Sequence, residues 1–492
     1  MTGNKVRLRF PELIFIFLTA FSTMLICTKS SPLYPMNDWL DANCYMTVGR
    51  SMLKGHLPYR DLFEHKGPLI YILHSAAAII SEDSFLGMFV FETAACFWFL
   101  TLSVRLICRL SGHSALWTVP VIAVTVYSSG AFCHGDSAEE LCLPLILSAL
   151  STGLTTSIEK RSMSSKEAFS FGITAGLVLW TKFNLLGAFA GVFIVTAIKH
   201  IRRKDIKELI KMSGYSIAGA AAVSLPVILF FAANGAAESL FEVYFYDNLF
   251  VYSDSSSPVW INIADGYIFL ITFLPAGFAF IYLGTAAALF RKKWELLAMS
   301  GIPAIMSFLL IFAGHLSYQY YPLALAAFVP SGLGICLSMI SPGRKKIPAA
   351  VPAAAALVLC APLCFLLSPN TYLMKYDRSE MPQYKFADII NETEEPSILN
   401  YGFLDGGFYL ASDNIPQYRY FCQNNTGLDE MTASQNKYVL SGEPDYIVTR
   451  SYSGKKESFP LYTCIAEADF PYYKRLPTYY LYKRNDLIQK QS

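Results

Sequence analysis

Residues 212–233 read MSGYSIAGAAAVSLPVILFFAA, without one charged side chain. As a helix rising 1.5 Å per residue, a run of this length reaches about 33 Å, enough to cross the ~30 Å hydrocarbon core of a bilayer. Basic residues from Lys199 to Lys211 precede it, which marks that end as cytoplasmic by the positive-inside rule. Working outward, runs of the same kind lie at 11–28, 85–106, 115–133, 140–157, 167–181 and 184–198 before it. After it come 264–290, 296–313, 320–340 and 347–367. The expectation is an all-α polytopic membrane domain of about eleven spans. Composition agrees, since 54% of the 492 residues are apolar and 15% charged, where a soluble domain carries about 25% charged residues.

The charges between the runs alternate. Arg105 and Arg109, Lys160-Arg161, Lys199 to Lys211, Arg291-Lys292-Lys293 and Arg344-Lys345-Lys346 fall in every second loop, so these loops and the N-terminus are expected in the cytoplasm. The long or acidic loops 29–84, 134–139, 234–263 and 314–319, and everything after 368, are expected outside. The first run follows Lys5, Arg7 and Arg9 and ends at Ile26-Cys27-Thr28-Lys29, a poor cleavage site, so it reads as an uncleaved anchor. Gly67–Ile80 is too short for a span and reads as an interfacial or re-entrant helix. The runs 167–181 and 184–198 are two short spans or one broken pair lining a cavity.

These assignments divide the chain into a membrane domain, 1–369, with its long first external loop 29–84, and an extracytoplasmic domain, 370–492. The second part is polar and Tyr-rich, with strand-like runs at 397–401 and 445–449 around a helix-like stretch near 427–440, hence a small α/β domain. Most of the eleven cysteines lie in apolar runs. Cys422 and Cys464 fall in the polar region, where a disulfide between them is one reading and two free thiols the other. The basic residues form short clusters between apolar runs, so no nucleic-acid partner is expected.

Two external segments carry the chemistry-bearing residues. The first loop contains Asp38, Asp41, Tyr59, Arg60, Asp61, Glu64, His65 and Lys66-Gly67-Pro68. A carboxylate there can take a proton from a hydroxyl, and a nearby Lys or Arg can hold a phosphate leaving group; the competing reading is a solvated loop with surface ion pairs. The second is His134-Gly135-Asp136-Ser137-Ala138-Glu139-Glu140. Its paired carboxylates either complement a helix dipole or point into a cavity. With His134 and Asp136 beside them a divalent metal is conceivable, although the spacing is not diagnostic. Lys182 reads as a snorkelling side chain. The 314–322 stretch, with His315, Tyr318 and Tyr320, is either an aromatic interfacial belt or a sugar- or phosphate-facing surface.

At Asp41, at Pro58-Tyr59-Arg60-Asp61 and at Glu64-His65-Lys66-Gly67-Pro68, the chain resembles membrane glycosyltransferases of the GT-C class, the bacterial protein-mannosyltransferase and aminoarabinose-transferase type. Glu139/Glu140 match the acidic position of that family's second external loop, and 315–321 loosely matches its late aromatic stretch. The resemblance implies inverting transfer of a hexosyl or pentosyl group from a polyprenyl-phosphate donor to a glycan, lipid or protein acceptor on the outer face of the plasma membrane. It implies Asp41 as base, Lys66 with Arg60 on the donor phosphate, and Glu139 or Glu140 in support. It also places Asp38, Tyr59, Asp61, Glu64, His65, His315, Tyr318 and Tyr320 around the substrates. Two departures stand out: Asp38 competes with Asp41, and Gly67 replaces a proline of some members. The alternatives are a multi-span transporter of a small solute and a non-catalytic envelope assembly protein. External carboxylates and the lack of internal repeats count against transport.

Overall fold

The computed structural model describes residues 8–112, 114–252, 258–314, 317–339, 350–472 and 477–489, the side chains of 350–352 excepted. The chain divides into two compact units. One comprises Met1–Thr28, Val90–Leu229 and Asp254–Thr371; the other comprises Lys29–Phe89, Phe230–Ser253 and Tyr372–Ser492.

The first unit is helical. Among the described residues six stretches are long and apolar enough to cross a membrane: Phe10–Cys27, Leu86–Ser111, Ala138–Ile158, Ser165–Arg202, Ile206–Ala233 and Trp294–Phe312. Thr118–Tyr127, Tyr321–Leu337 and Ala353–Leu367 are shorter apolar helices. The run expected at 264–290 is not one straight span. Val259–Phe273 and Pro275–Phe290 meet at 107°, because Leu274 leaves helical geometry (φ −130°, ψ 48°) ahead of a proline that cannot continue the hydrogen-bond ladder. The run expected at 115–133 is helical only to Tyr127, since the residues that follow build a tight turn with Cys133 and Asp136 at positive φ.

The runs at 167–181 and 184–198 form the helices Ser165–Lys182 and Gly187–Arg202, joined by a 3-10 turn, Phe183–Leu186. Gly187 and Gly191, four residues apart, face Ser307 and Pro303 of the Trp294–Phe312 helix, whose backbone occupies the space a Cβ would need. Small residues at this spacing let helices pack in lipid, where dispersion and close approach replace the hydrophobic effect. Ile206–Ala233 is 17% buried over its apolar window and Ala138–Ile158 72%. Ile217, Leu225 and Leu229 stand more than half exposed, a surface that needs lipid as its solvent. The chain is therefore a multi-pass membrane protein.

The second unit holds two helices from the first loop, Leu40–Leu53 and Pro68–Ile80, and a four-stranded sheet. Strands β1 (Ile398–Asn400), β2 (Tyr446–Ser451), β3 (Tyr462–Asp469) and β4 (Thr478–Arg484) lie in the order β1-β2-β4-β3. β1 and β2 are parallel and the other pairs antiparallel, with Leu399 beside Ile447 and Ile447 beside Tyr482. The helix Asp429–Ser441 adds Val439 to a core with Leu399, Ile447, Tyr462, Tyr480 and Tyr482. The Cys422–Cys464 disulfide does not form. Cys422 is buried with its sulfur 3.8 Å from that of Cys44, and Cys464 is a separate, partly exposed thiol.

Candidate functional site

Asp38 and Asp41 enter different surroundings. Lys29, itself buried, pairs with Asp38 at 2.6 Å, and the Tyr472 hydroxyl donates to the other carboxylate oxygen at 2.5 Å. Asp41 sits in the first turn of Leu40–Leu53, where the helix dipole favours a carboxylate. It lies 4.0 Å from Lys66 Nζ and receives the Tyr45 hydroxyl at 3.4 Å; both members of the Asp41–Lys66 pair keep more than a tenth of their side-chain surface open. Tyr45 is one helical turn after Asp41, and its ring lies beneath the Lys66 ammonium at 5.9 Å.

Lys66 is held from behind. Its backbone N–H donates to Glu64 Oε2 at 3.1 Å and to the Tyr71 hydroxyl at 3.0 Å, and Tyr71 also donates to Glu64. The Tyr59 hydroxyl donates to Lys66 O at 2.7 Å. Tyr59 is fully buried at φ +71°, a left-handed conformation rare for a large residue and kept here by its bond from Tyr59 N to Leu62 O. Burial beside Glu64 raises the Tyr59 phenol well above its usual range, so it stays a donor. His65 bridges the set, with Nδ1 3.2 Å from Glu64 and Nε2 3.2 Å from Lys66 Nζ. Glu64, Tyr59, His65 and Lys66 thus come together as expected neighbours, with Asp41 in reach of the lysine.

Arg60 and Asp61 form a bidentate pair with each other, at 2.7 and 2.8 Å, and Arg60 also donates to Asn234 O. The Phe245–Asn248 stretch, expected as loop, belongs to a π-helix, Glu242–Val251. Asn248 of that helix donates to His65 O at 2.7 Å, a placement consistent with the use of π-helical turns near functional groups. Burial and the neighbouring Glu242 push Asp247 up to about 6.

The acidic turn and the late tyrosines lie in the first unit, and within it Glu139 meets Tyr320 through a residue read as a snorkelling lysine. Lys182 Nζ is 2.5 Å from Glu139 Oε1, 4.2 Å from the Tyr321 ring centroid and 5.4 Å from that of Tyr320. Tyr318 stacks against Tyr320 at 5.9 Å. Glu140 faces the other way: its Oε2 and the Oε1 of Glu92 both accept the Asp136 N–H, at 2.8 and 2.7 Å, and Glu92 also receives the Thr28 hydroxyl at 2.8 Å. Gly135, at φ +85°, leaves no room for a Cβ beside Thr28 and Glu92. Glu92 went unrecognised in the sequence, although a lone acid inside an apolar run is a signal. His315 lies outside the described residues. Among the described residues no three His, Cys, Asp or Glu side chains are arranged to hold a metal ion.

Solved structures share this fold, two of them of one protein. Crystal structures of ArnT from Cupriavidus metallidurans, bound to undecaprenyl phosphate and in the apo state, match the chain with TM-scores of 0.65 and 0.64. Identities are 11% and 12%, and each match covers 95% of this chain and 97% of the other. No family model and no curated protein sequence matches the chain.

Proposed function

We propose that the chain is an integral-membrane glycosyltransferase of the plasma membrane, moving a sugar from a polyprenyl-phosphate donor to an acceptor on the outer face. The observation that carries this reading is the ArnT fold over nearly the whole chain, one of whose structures holds undecaprenyl phosphate. The Asp41–Lys66 pair supplies the chemistry within that fold. Lys66 binds the donor phosphate and neutralises its charge, which makes it a better leaving group. Asp41 takes the proton of the acceptor hydroxyl or amine as that atom attacks the anomeric carbon. One bond forms from acceptor to anomeric carbon, the bond from that carbon to the phosphate oxygen breaks, and polyprenyl phosphate leaves with the electron pair. A single displacement inverts the anomeric centre. Asp38 is the weaker candidate for base, because Lys29 and Tyr472 already occupy both its oxygens. Glu64 positions Lys66 through its backbone N–H.

The test is transfer of labelled sugar from a panel of polyprenyl-phosphate sugars by the purified chain and by Asp41→Asn. Turnover that disappears in the variant while the protein stays folded supports the reading. Turnover at the wild-type rate moves the base elsewhere, and a chain that consumes none of the donors refutes the transfer.

A further inference from the structure

The second unit holds a cavity of about 430 Å³ that the proposed transfer chemistry leaves unused. Its wall joins the first loop (residues 29–37 and 84–86) to the C-terminal segments 374–384 and 407–411, and its volume falls in the range of small-molecule sites. Three tyrosines line it, Tyr34, Tyr376 and Tyr384, with Arg378. The Arg378 guanidinium lies 5.6 Å from the Tyr384 ring centroid and spends only Nε, on Pro35 O at 3.2 Å. Neither its two Nη groups nor the Tyr384 hydroxyl has a hydrogen-bond partner among the described residues. The other charges of the wall are engaged: Lys29 on Asp38, and the Asp377 carboxylate on the backbone of Glu380. What is left over is the guanidinium fork of an exposed arginine and the phenol of a half-buried tyrosine, donors that face water and are open to a ligand, beside aromatic faces.

We infer that this cavity binds an anionic sugar unit of the acceptor, its carboxylate or phosphate on Arg378 and its ring against the tyrosines. A guanidinium presents paired N–H groups in the geometry a carboxylate or phosphate accepts, and a lysine presents only a point charge. Aromatic rings offer flat apolar faces to the C–H side of a sugar while the hydroxyls point outward. The acceptor role rests on the transfer reading; the binding of an anionic sugar does not.

Binding of glucose, glucuronate and glucose 6-phosphate to the full chain in detergent, followed by saturation-transfer NMR and calorimetry, tests the site. The wild type is expected to bind at least one anionic sugar more tightly than glucose. Arg378→Met is expected to weaken that binding about 10- to 100-fold, the loss of a charge-assisted pair of hydrogen bonds, with Arg378→Lys in between. Leu33→Trp, at a half-exposed wall position, is expected to block it by bulk and serves as a control independent of charge. Equal affinity for glucose, no binding, or indifference to both Arg378→Met and Leu33→Trp overturns the proposal. So does competition by phosphatidylglycerol nanodiscs with no response to any soluble sugar, which assigns the arginine to a lipid head group. Slow hydrolysis of the polyprenyl-phosphate sugar without acceptor is measured alongside. Donor turnover without sugar binding overturns the cavity alone. Arg378-dependent sugar binding without donor turnover keeps the cavity and removes the transfer reading.

Discussion

At the start of the Leu40–Leu53 helix, Asp41 stands 4.0 Å from Lys66 with part of its surface open. At the start of the Ala138–Ile158 helix, Glu139 and Glu140 are both sealed from solvent, one against Lys182 at 2.5 Å and the other against the Asp136 N–H. Both segments put acids in the first turn of a helix, and the sequence offers both as reacting groups, Asp41 as base and Glu139 or Glu140 in support. The difference is one of commitment. A buried carboxylate held by a short ion pair has its desolvation cost offset by its partner, and disturbing it costs the fold. A carboxylate at a long contact distance, partly open, can exchange that contact for a substrate without unfolding its surroundings. Reactivity is expected where a charge stays partly open on a rigid support, and the Glu64–Tyr59–Tyr71 cradle makes Lys66 such a support.

The sharpest way to break this comparison is to neutralise one acid in each class. Asp41→Asn is expected to lower transfer about 10²- to 10⁴-fold, the usual contribution of a positioned general base, with the thermal midpoint in detergent unchanged. Asp38→Asn is expected to do the reverse. It strands the buried Lys29, at a cost of about 3–5 kcal/mol of folding stability, and any loss of activity should follow the loss of folded protein. If Asp38→Asn stays stable and inactive, the two aspartates have been assigned the wrong way round.

Glu139→Ala tests the membrane unit in the same manner. Lys182, mostly enclosed, would lose its carboxylate, and the expected loss is about 2–4 kcal/mol, below that of a fully buried pair, read as a lower midpoint and poor recovery from the membrane. Glu139→Ala with Lys182→Met removes both charges and should recover much of that loss. A smaller effect is expected at Lys66. Lys66→Met keeps the aliphatic stem over Tyr45 and removes the ammonium, so turnover at saturating acceptor should fall about 10- to 100-fold, the worth of a charge-assisted contact to phosphate. Donor titrations check it. A Lys66→Met enzyme with wild-type donor dependence would place the phosphate elsewhere.

The parts of this arrangement that could be read in the sequence are those that neighbouring residues determine. Apolar runs declared most of the membrane helices, and short strand-like runs declared β1 and β2. Asp41 and Lys66 were singled out in the long first loop because the residues around them resemble a family pattern. What escaped depends on residues far apart in the chain. Lys182 and Glu139 are 43 positions apart, and Lys182 alone looks like an ordinary snorkelling end. Asp38 is locked by Tyr472, 434 positions away, so no local pattern separated it from Asp41. The 107° break before Pro275 was hidden by apolar composition on both sides, since hydropathy averages over a kink. The discontinuous unit that gathers 29–89, 230–253 and 372–492 was equally invisible, because a boundary drawn by composition follows the chain and a packed unit need not.

The most gradual expected effect comes from a carboxylate that belongs to the sealed class but lies in the C-terminal segment. Asp405 is buried and accepts from the Thr47 hydroxyl at 2.6 Å, the Gly407 N–H at 2.8 Å and the Asn400 amide at 3.0 Å. Burial outweighs these bonds and pushes its pKa up from 3.8 to about 6. Between these two values the folded chain holds this proton and the unfolded chain does not. The contribution of Asp405 to stability is therefore full below pH ~4 and is lost as pH rises through 6, with a slope of up to about 1.4 kcal/mol per pH unit. Asp405→Asn cannot titrate, so the gap between its midpoint and the wild-type midpoint should change across pH 4–6 and level off above. Thermal melts of both proteins at half-unit steps from pH 4 to 7.5 read that gap directly. A gap that stays constant across the series would mean that the three donors hold Asp405 charged throughout, and hydrogen bonding would then outweigh burial at this carboxylate.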